Sequence, residues 1–212
     1  MTPASIADLL RPYLGSPVKP GQTHSEPPDW PRIYGQLAIY LDLIQKWNAR
    51  INLTSIRAPE EIVRRHFGEG LFVGAHLGAC RTLLDFGSGA GFPGVPIQLL
   101  RPDLQVTLAE SRARKAAFLN ELVRTLDLPT EIWAGRVEAM PASRQFDAVA
   151  LRAVDEMEAA VREASSRASG QLLIVRTTRS ASYPGPAEQF AVDEPIPLPE
   201  SKDGVLLIAH RL

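Results

Sequence analysis

Thr82-Leu83-Leu84-Asp85-Phe86-Gly87-Ser88-Gly89-Ala90-Gly91-Phe92-Pro93-Gly94 is the stretch whose reading decides the fold. A short apolar run ends on an acid, Asp85, and glycines then recur at 87, 89, 91 and 94. That is the pattern of a buried strand leaving a sheet through a glycine-rich turn and entering a helix. Lacking Cβ atoms, such a turn lets the backbone close on a nucleotide-like ligand. Two motifs overlap in it: G-x-G-x-x-G at Gly89, Gly91 and Gly94, and the tighter D-x-G-x-G-x-G at Asp85, Gly87, Gly89 and Gly91. By itself the loop also reads as an ordinary glycine-rich turn or a dinucleotide site.

Downstream, strand and helix alternate. Pro93 and Pro96 suit a first helical turn, and Arg101-Pro102 ends that helix. Gln105 to Glu110 alternates as a strand and finishes on an acid; Ser111 is read as the N-cap of a helix with Phe118, Leu119, Leu122, Val123 and Leu126 on its apolar side. Further strands are expected at Thr130–Trp133, Phe146–Leu151 and Gln171–Val175, with an alanine-rich helix over Val154–Arg167. Two closing strands, Gln189–Asp193 and Val205–His210, suit an antiparallel edge. The alternation predicts an α/β fold: a mostly parallel, Rossmann-like sheet covered on both faces.

Upstream the pattern is helical. Ile6, Leu9, Leu10 and Leu14 mark a short amphipathic helix, and Ile33, Leu37, Leu41, Ile44 and Trp47 a longer one. Between them the proline- and glycine-rich residues 15–31 read as a connector. Pro59-Glu60-Glu61 opens another helix. The expected organisation is an N-terminal helical cap over residues 1–80 and a sheet-bearing core over 81–212.

A net charge of −1 does not advertise a nucleic-acid binder, so any basic patch must be local. The single Cys80 excludes an intramolecular disulfide or a zinc cluster built on several thiolates, and the four histidines are too dispersed for a metal site. No apolar run reaches the ~18 residues of a membrane span, and Asp8 and Arg11 interrupt any signal-peptide pattern. A soluble, cytoplasmic protein without metal or membrane is expected.

Three positions beyond the loop carry candidate chemistry. Glu110 ends the next strand, where an acid accepts hydrogen bonds from both ribose hydroxyls of a nucleotide, or simply favours the following helix dipole. The D-x-G-x-G-x-G loop resembles the first motif of S-adenosylmethionine-dependent methyltransferases, whose loop holds the amino-acid end of the cofactor. Gly135-Arg136-Val137-Glu138 follows the third strand, placed to lay an amide and a polar side chain on an adenine edge, or to be a solvated loop. Arg152, past the fourth strand, is positioned for a cofactor carboxylate or a phosphate, or for a surface salt bridge.

D-F-G-S-G-A-G-F-P-G-V-P, T-L-A-E-S-R-A-R-K-A-A-F-L, R-V-E-A-M and F-D-A-V-A-L-R-A-V occur in this order, preceded by K-W-N-A-R-I-N-L-T-S-I-R-A-P-E-E at Lys46–Glu61 and R-R-H-F around His66. In these the chain resembles the RsmG (GidB) family of bacterial 16S ribosomal RNA guanine-N7 methyltransferases, from about Tyr34 to Val154. The resemblance implies S-adenosyl-L-methionine as cofactor. Its contacts would fall on Gly87 and Gly89 of the loop, Phe92, Val137, Glu138 and Arg152, with Glu110 at the ribose. Three positions depart from the family pattern. Glu110 stands where Asp is usual, Gly68-Glu69-Gly70 replaces Leu-Asp-Ser, and Arg176-Thr177 replaces Lys-Gly; the last two fall where substrate contacts are expected.

The reaction so implied is methylation of guanine N7, which has an in-plane lone pair and no proton, so no general base is required. Leu151-Arg152-Ala153-Val154 stands in place of the Asn/Asp-Pro-Pro-Tyr that methylators of exocyclic amines use. Cys80 precedes the first strand, at the wrong end of a sheet for cytosine C5 chemistry, and reads as a buried thiol. Candidate RNA contacts are Arg65, beside Arg64 on the cap, and Arg112, Arg114 and Lys115 near the cofactor mouth; His66 reads as a packed residue or a substrate contact. The expected partner is 16S ribosomal RNA or the small-subunit particle. A small-molecule methyltransferase and a non-catalytic cofactor- or RNA-binding paralogue are the alternatives.

Overall fold

The computed structural model describes residues 1–14, 27–154, 156–178, 186 and 188–212. Most of the expected connector, 15–26, lies outside them. Its last residues do not remain a connector: α2 (Trp30–Asn48) starts at Trp30 because Asp29 caps it, accepting from Arg32 N at 3.2 Å, and Pro31 fits the first turn. Helix α1 (Pro3–Leu14) buries Ile6, Leu10 and Tyr13. α3 (Pro59–Ile62), a π-helical turn (Val63–Gly68) and α4 (Glu69–His76) follow one another directly. Such a π turn inside a helix is rare and concentrates at functional sites.

The core strands are β1 (Thr82–Phe86), β2 (Gln105–Ala109), β3 (Glu131–Trp133), β4 (Phe146–Arg152), β5 (Ala168–Thr177), β6 (Phe190–Val192), β7 (Ile196–Pro197) and β8 (Gly204–Arg211), with α5 (Gly94–Leu100), α6 (Ala113–Thr125) and α7 (Met157–Arg167) between them. The sheet runs β3-β2-β1-β4-β5-β8-β6, with β7 also paired to β8. The strands from β3 to β5 along this order are parallel, and β8 is antiparallel to β5, β6 and β7. Rossmann-like topology with an antiparallel edge is what the alternation predicted; the two-residue β7 carries too little pattern to be read. α7 begins at Met157 and not Val154, and β5 begins at Ala168 and not Gln171.

Two-residue periodicity divides the core. Leu83, Ala148, Ala150, Leu173, Leu206 and Ile208 face one layer, where α1, α2, α4, α5 and α6 pack. Leu84, Val149, Leu151, Leu172, Ile174 and Leu207 face the other, against Ala160, Val161 and Ala164 of α7. Cap and sheet share the first layer: Leu37, Leu41 and Ile44 of α2 are wholly buried in it, each worth roughly 1.5–3 kcal/mol. Because β2 and β3 lie on one side of β1 and β4 on the other, the strand order reverses beside β1. The crevice where ligands bind in such sheets therefore opens at its C-terminal end.

Candidate functional site: a cleft at the glycine loop

The glycine loop leaves β1 at that crevice. Gly87, Gly89 and Gly91 all have positive φ, of 73°, 59° and 93°, a conformation costing other residues about 1–2 kcal/mol each. The loop is tied down on every side. Ser88 N donates to Ala109 O (2.9 Å) and Ser88 Oγ to Asp85 O (3.1 Å), while the Tyr40 hydroxyl of α2 donates to Ala90 O. Asp85 is fully buried beneath it, with Oδ2 accepting from Gly94 N at 3.0 Å and Oδ1 without a hydrogen-bond partner among the described residues. Burial pushes its carboxyl up to about 7, against the pull of the Gly94 amide.

Glu110 is the brace between β2 and the loop. Its Oε2 accepts from Gly89 N (2.9 Å) and its Oε1 from Arg112 N (2.7 Å). Ser111 is not the cap of α6: the helix starts at Ala113 with Arg112 as its N-cap residue, whose side chain makes no capping bond, and Glu110 fixes the Arg112 amide just ahead of it. A carboxylate offers about four lone-pair positions. Glu110 uses one on the loop and one on the residue ahead of α6, which leaves two for the cavity it lines.

That cavity measures about 590 Å³. Gly87, Gly89, Phe92, Glu110, Val137, Glu138 and Arg152 all lie on its wall, as do Gly135 and Arg136. Two of the basic residues assigned to RNA, Arg112 and Lys115, line this same cavity, whereas Arg114 is exposed on α6 outside its lining and Arg65 borders a different one. Val137 and Glu138 sit on a 3₁₀ turn (Val137–Ala139) held from behind by Arg167, whose guanidinium donates to the carbonyls of Pro141 (2.6 Å), Met140 (3.2 Å) and Val137 (3.4 Å) and pairs with Glu163.

The cap supplies the opposite wall. Asn48, at the end of α2, accepts from Leu53 N (2.9 Å) and Thr54 N (3.2 Å) and donates to Thr54 O (3.1 Å). The 53–56 loop is thereby pressed onto the cavity, and Thr54 Oγ1 meets His66 Nε2 at 2.7 Å. His66 lies on the π turn and stacks on Phe92 of the glycine loop, ring centroids 4.5 Å apart. Burial, aided by Arg152 and Arg65, lowers its pKa to about 3, so it is neutral at physiological pH. The residues that build this wall, Asn48 and Thr54, are in the Lys46–Glu61 stretch, but their contacts are tertiary and leave no periodic signal.

Arg152 ends β4. Its Nε and Nη2 both donate to Glu69 Oε2 (3.1 and 2.8 Å), and Nη2 also to Arg65 O (2.9 Å). Glu69 Oε1 takes Arg65 Nε at 2.9 Å. The pair is no surface bridge: the side chains are 13% and 4% exposed. Its neighbours are packing sites and not substrate surface. A Cβ on Gly68 would lie 2.7 Å from the Tyr13 ring, and one on Gly70 2.8 Å from Pro96 Cβ. Cys80 is half-buried just before β1, on the opposite edge of the sheet, its thiol pushed up to about 11 by burial. Among the described residues no group of His, Cys, Asp and Glu is placed to hold a metal, and no helix is long and apolar enough to cross a membrane.

A glycine loop at the switch point, braced by an acid from the next strand under a two-walled cleft, defines a Rossmann-like domain of the S-adenosylmethionine-dependent methyltransferase type. Solved structures agree on the fold. An O-methyltransferase family protein from Burkholderia thailandensis superposes with a TM-score of 0.54 at 16% identity, over 85% of this chain and 71% of that one. Magnesium protoporphyrin IX methyltransferase from Synechocystis, solved with bound SAM, gives 0.50 at 13% identity over 97% and 91%.

The chain belongs to the GidB family, described as rRNA small subunit methyltransferase G, whose pattern matches residues 33–185. Among similar proteins, the ribosomal RNA small subunit methyltransferase G of Nitrosomonas europaea is 43% identical over 131 residues, 61% of each chain. That of Roseiflexus castenholzii is 45% identical over 128 residues, 58% of this chain and 55% of the relative. The chain thus matches between half and two thirds of these relatives' length.

Proposed function

We propose that this protein methylates N7 of a guanine in 16S ribosomal RNA of the small subunit, in the cytoplasm, using S-adenosyl-L-methionine. The observation that carries the reading is the Glu110 brace, one carboxylate shared between the Gly89 amide and the cavity, in a chain of this family. The cavity fits the cofactor by its chemistry. Two lone-pair positions of Glu110 suit vicinal ribose hydroxyls, the turn at Val137 and Glu138 suits an adenine edge, and the loop at Gly87, Gly89 and Phe92 suits the amino-acid end. When bound, S-adenosyl-L-methionine supplies a sulfonium methyl group that a ring nitrogen can take.

The chain's own contribution is alignment and exclusion of water. N7 carries no proton, so no side chain need act as a base, and the neutral His66 and the buried Asp85 have no proton-transfer part to play. The cap wall of Thr54, Ile56 and His66 closes the cleft over the glycine loop, and the acceptor base must leave its RNA stack to reach it. Exposed Arg114, with Arg112 and Lys115 at the cleft, supplies local positive charge that the net charge of −1 does not.

The test uses tritiated S-adenosyl-L-methionine and small-subunit particles from a strain lacking the gene. Label is expected in N7-methylguanosine of the 16S RNA. Label in another nucleoside, or none, contradicts the reading.

A further inference from the structure

A second cavity of about 330 Å³ adjoins the first and shares Arg152, Ala153 and Val154 with it. Its far wall is Val175, Arg176 and Thr177 at the C-terminal end of β5, with Met157 and Leu198 adding apolar surface. The two cavities follow the sheet edge in strand order, β3-β2-β1-β4-β5. If adenine lies at β3 and ribose at Glu110 of β2, the amino-acid and sulfonium end lies at β1 and β4. The next space along that edge is the second cavity, over β4 and β5.

Arg152 stands on the boundary. Glu69 and the Arg65 carbonyl take its Nε and Nη2, so the guanidinium is fixed in place and Nη1 donates to no group among the described residues. A guanidinium has only donors. Beside N7, guanine presents O6, an acceptor, whereas adenine presents the N6 amino donor. A base turned with N7 toward the cofactor cavity therefore offers Arg152 a match if it is guanine and two opposed donors if it is adenine.

We propose that the second cavity holds the acceptor guanine, extruded from RNA, and that Arg152 Nη1 donates to its O6, making Arg152 a specificity residue and Glu69 the positioning residue behind it. This rests on the guanine-N7 reading above, and it gives to the acceptor base the Arg152 that the family resemblance places on the cofactor; Arg152 lines both cavities. Opposing a donor with a donor leaves both unpaired, and sites built this way reject the wrong partner by about three orders of magnitude or more.

The chain has three methionines, of which Met157 lines this cavity and Met140 does not. With ¹³C-methyl methionine and S-adenosylhomocysteine present, titration with guanosine 5′-monophosphate is expected to shift the Met157 signal saturably and leave Met140 still. Adenosine 5′-monophosphate is expected to shift neither. Met157→Trp and Thr177→Trp, each filling the cavity from a half-buried or exposed position, are expected to keep cofactor affinity while methylation of particles falls about a hundredfold. Arg152→Lys keeps the charge and is expected to narrow the gap between the two nucleotides. An unmoved Met157 signal, or equal shifts with both nucleotides, overturns the proposal. So do filled variants that methylate as the wild type does. If the wild type labels no guanine in particles, the guanine-N7 reading fails and guanine as occupant falls with it; label in the wild type with an unaffected Met157→Trp variant overturns the cavity assignment alone.

Discussion

Two glycine-bearing segments meet near the cleft, and their glycines serve different ends. In the loop after β1, Gly87, Gly89 and Gly91 have positive φ, so the backbone itself turns toward the ligand space. In the π turn and α4, Gly68 and Gly70 have no positive φ, with φ of −59° at Gly68, and their missing side chains leave room for Tyr13 and Pro96. One set supplies conformation and the other supplies room. At Gly68 the departure from the family pattern is matched by packing, because a ring from another helix fills the space. Tyr13 of α1 takes the volume that a leucine would occupy.

Substitutions should separate the two. Gly68→Leu drives a side chain into the Tyr13 ring, and is expected to cost about 3 kcal/mol of stability in denaturant unfolding, as overpacking does. In a Tyr13→Ala background the same change should cost markedly less; an equal cost would break the assignment of Gly68 to packing. Gly87→Val leaves room, with the added Cβ no closer than 3.5 Å to Val154, but forces a branched residue to a φ of 73°. It should weaken cofactor binding about tenfold or more, with a melting temperature lowered far less than in Gly68→Leu. A cofactor affinity equal to wild type in calorimetry would show that the loop does not bind ligand through its backbone.

A smaller effect is expected from pH. Asp85 ionises at about 7 in the fold against an ordinary 3.8, so between about pH 4 and 7 the folded chain holds a proton that the unfolded chain has lost, and stability falls as pH rises. His66 titrates at about 3 against 6.5, so over nearly the same window stability rises with pH. The two slopes oppose each other. Asp85→Asn removes the first, and its unfolding free energy should climb more steeply from pH 4 to 7 than the wild type's; an unchanged profile would count against the raised carboxyl. Least of all should follow from Cys80→Ala, which lies at the far edge of the sheet and is expected to leave turnover intact and stability within about 1 kcal/mol.

What the sequence made legible follows from the range of the interactions. Leu83 and Leu84, Val149 and Ala150, Leu172 and Leu173 alternate between the two core layers, so the strands could be read locally. The glycine loop and Glu110 are each local features, and the structure joins them by one hydrogen bond. The Glu69–Arg152 pair joins residues 83 positions apart, and Arg167 supports a turn some 30 residues earlier. Nothing in a strand or helix period announces such contacts. Thr54 and His66 were in view, one within the Lys46–Glu61 stretch and one in Arg64-Arg65-His66-Phe67, but that they close a wall over Phe92 is visible only once the cap is folded onto the sheet.

Calorimetric titration of S-adenosyl-L-methionine into the wild type and into Glu110→Gln asks whether the braced loop is the cofactor site. One saturable site is expected in the wild type, weakened about tenfold in the variant by the loss of charged acceptors at both Gly89 and the ribose. Equal affinity in the two proteins, or no saturable binding by the wild type, would contradict it.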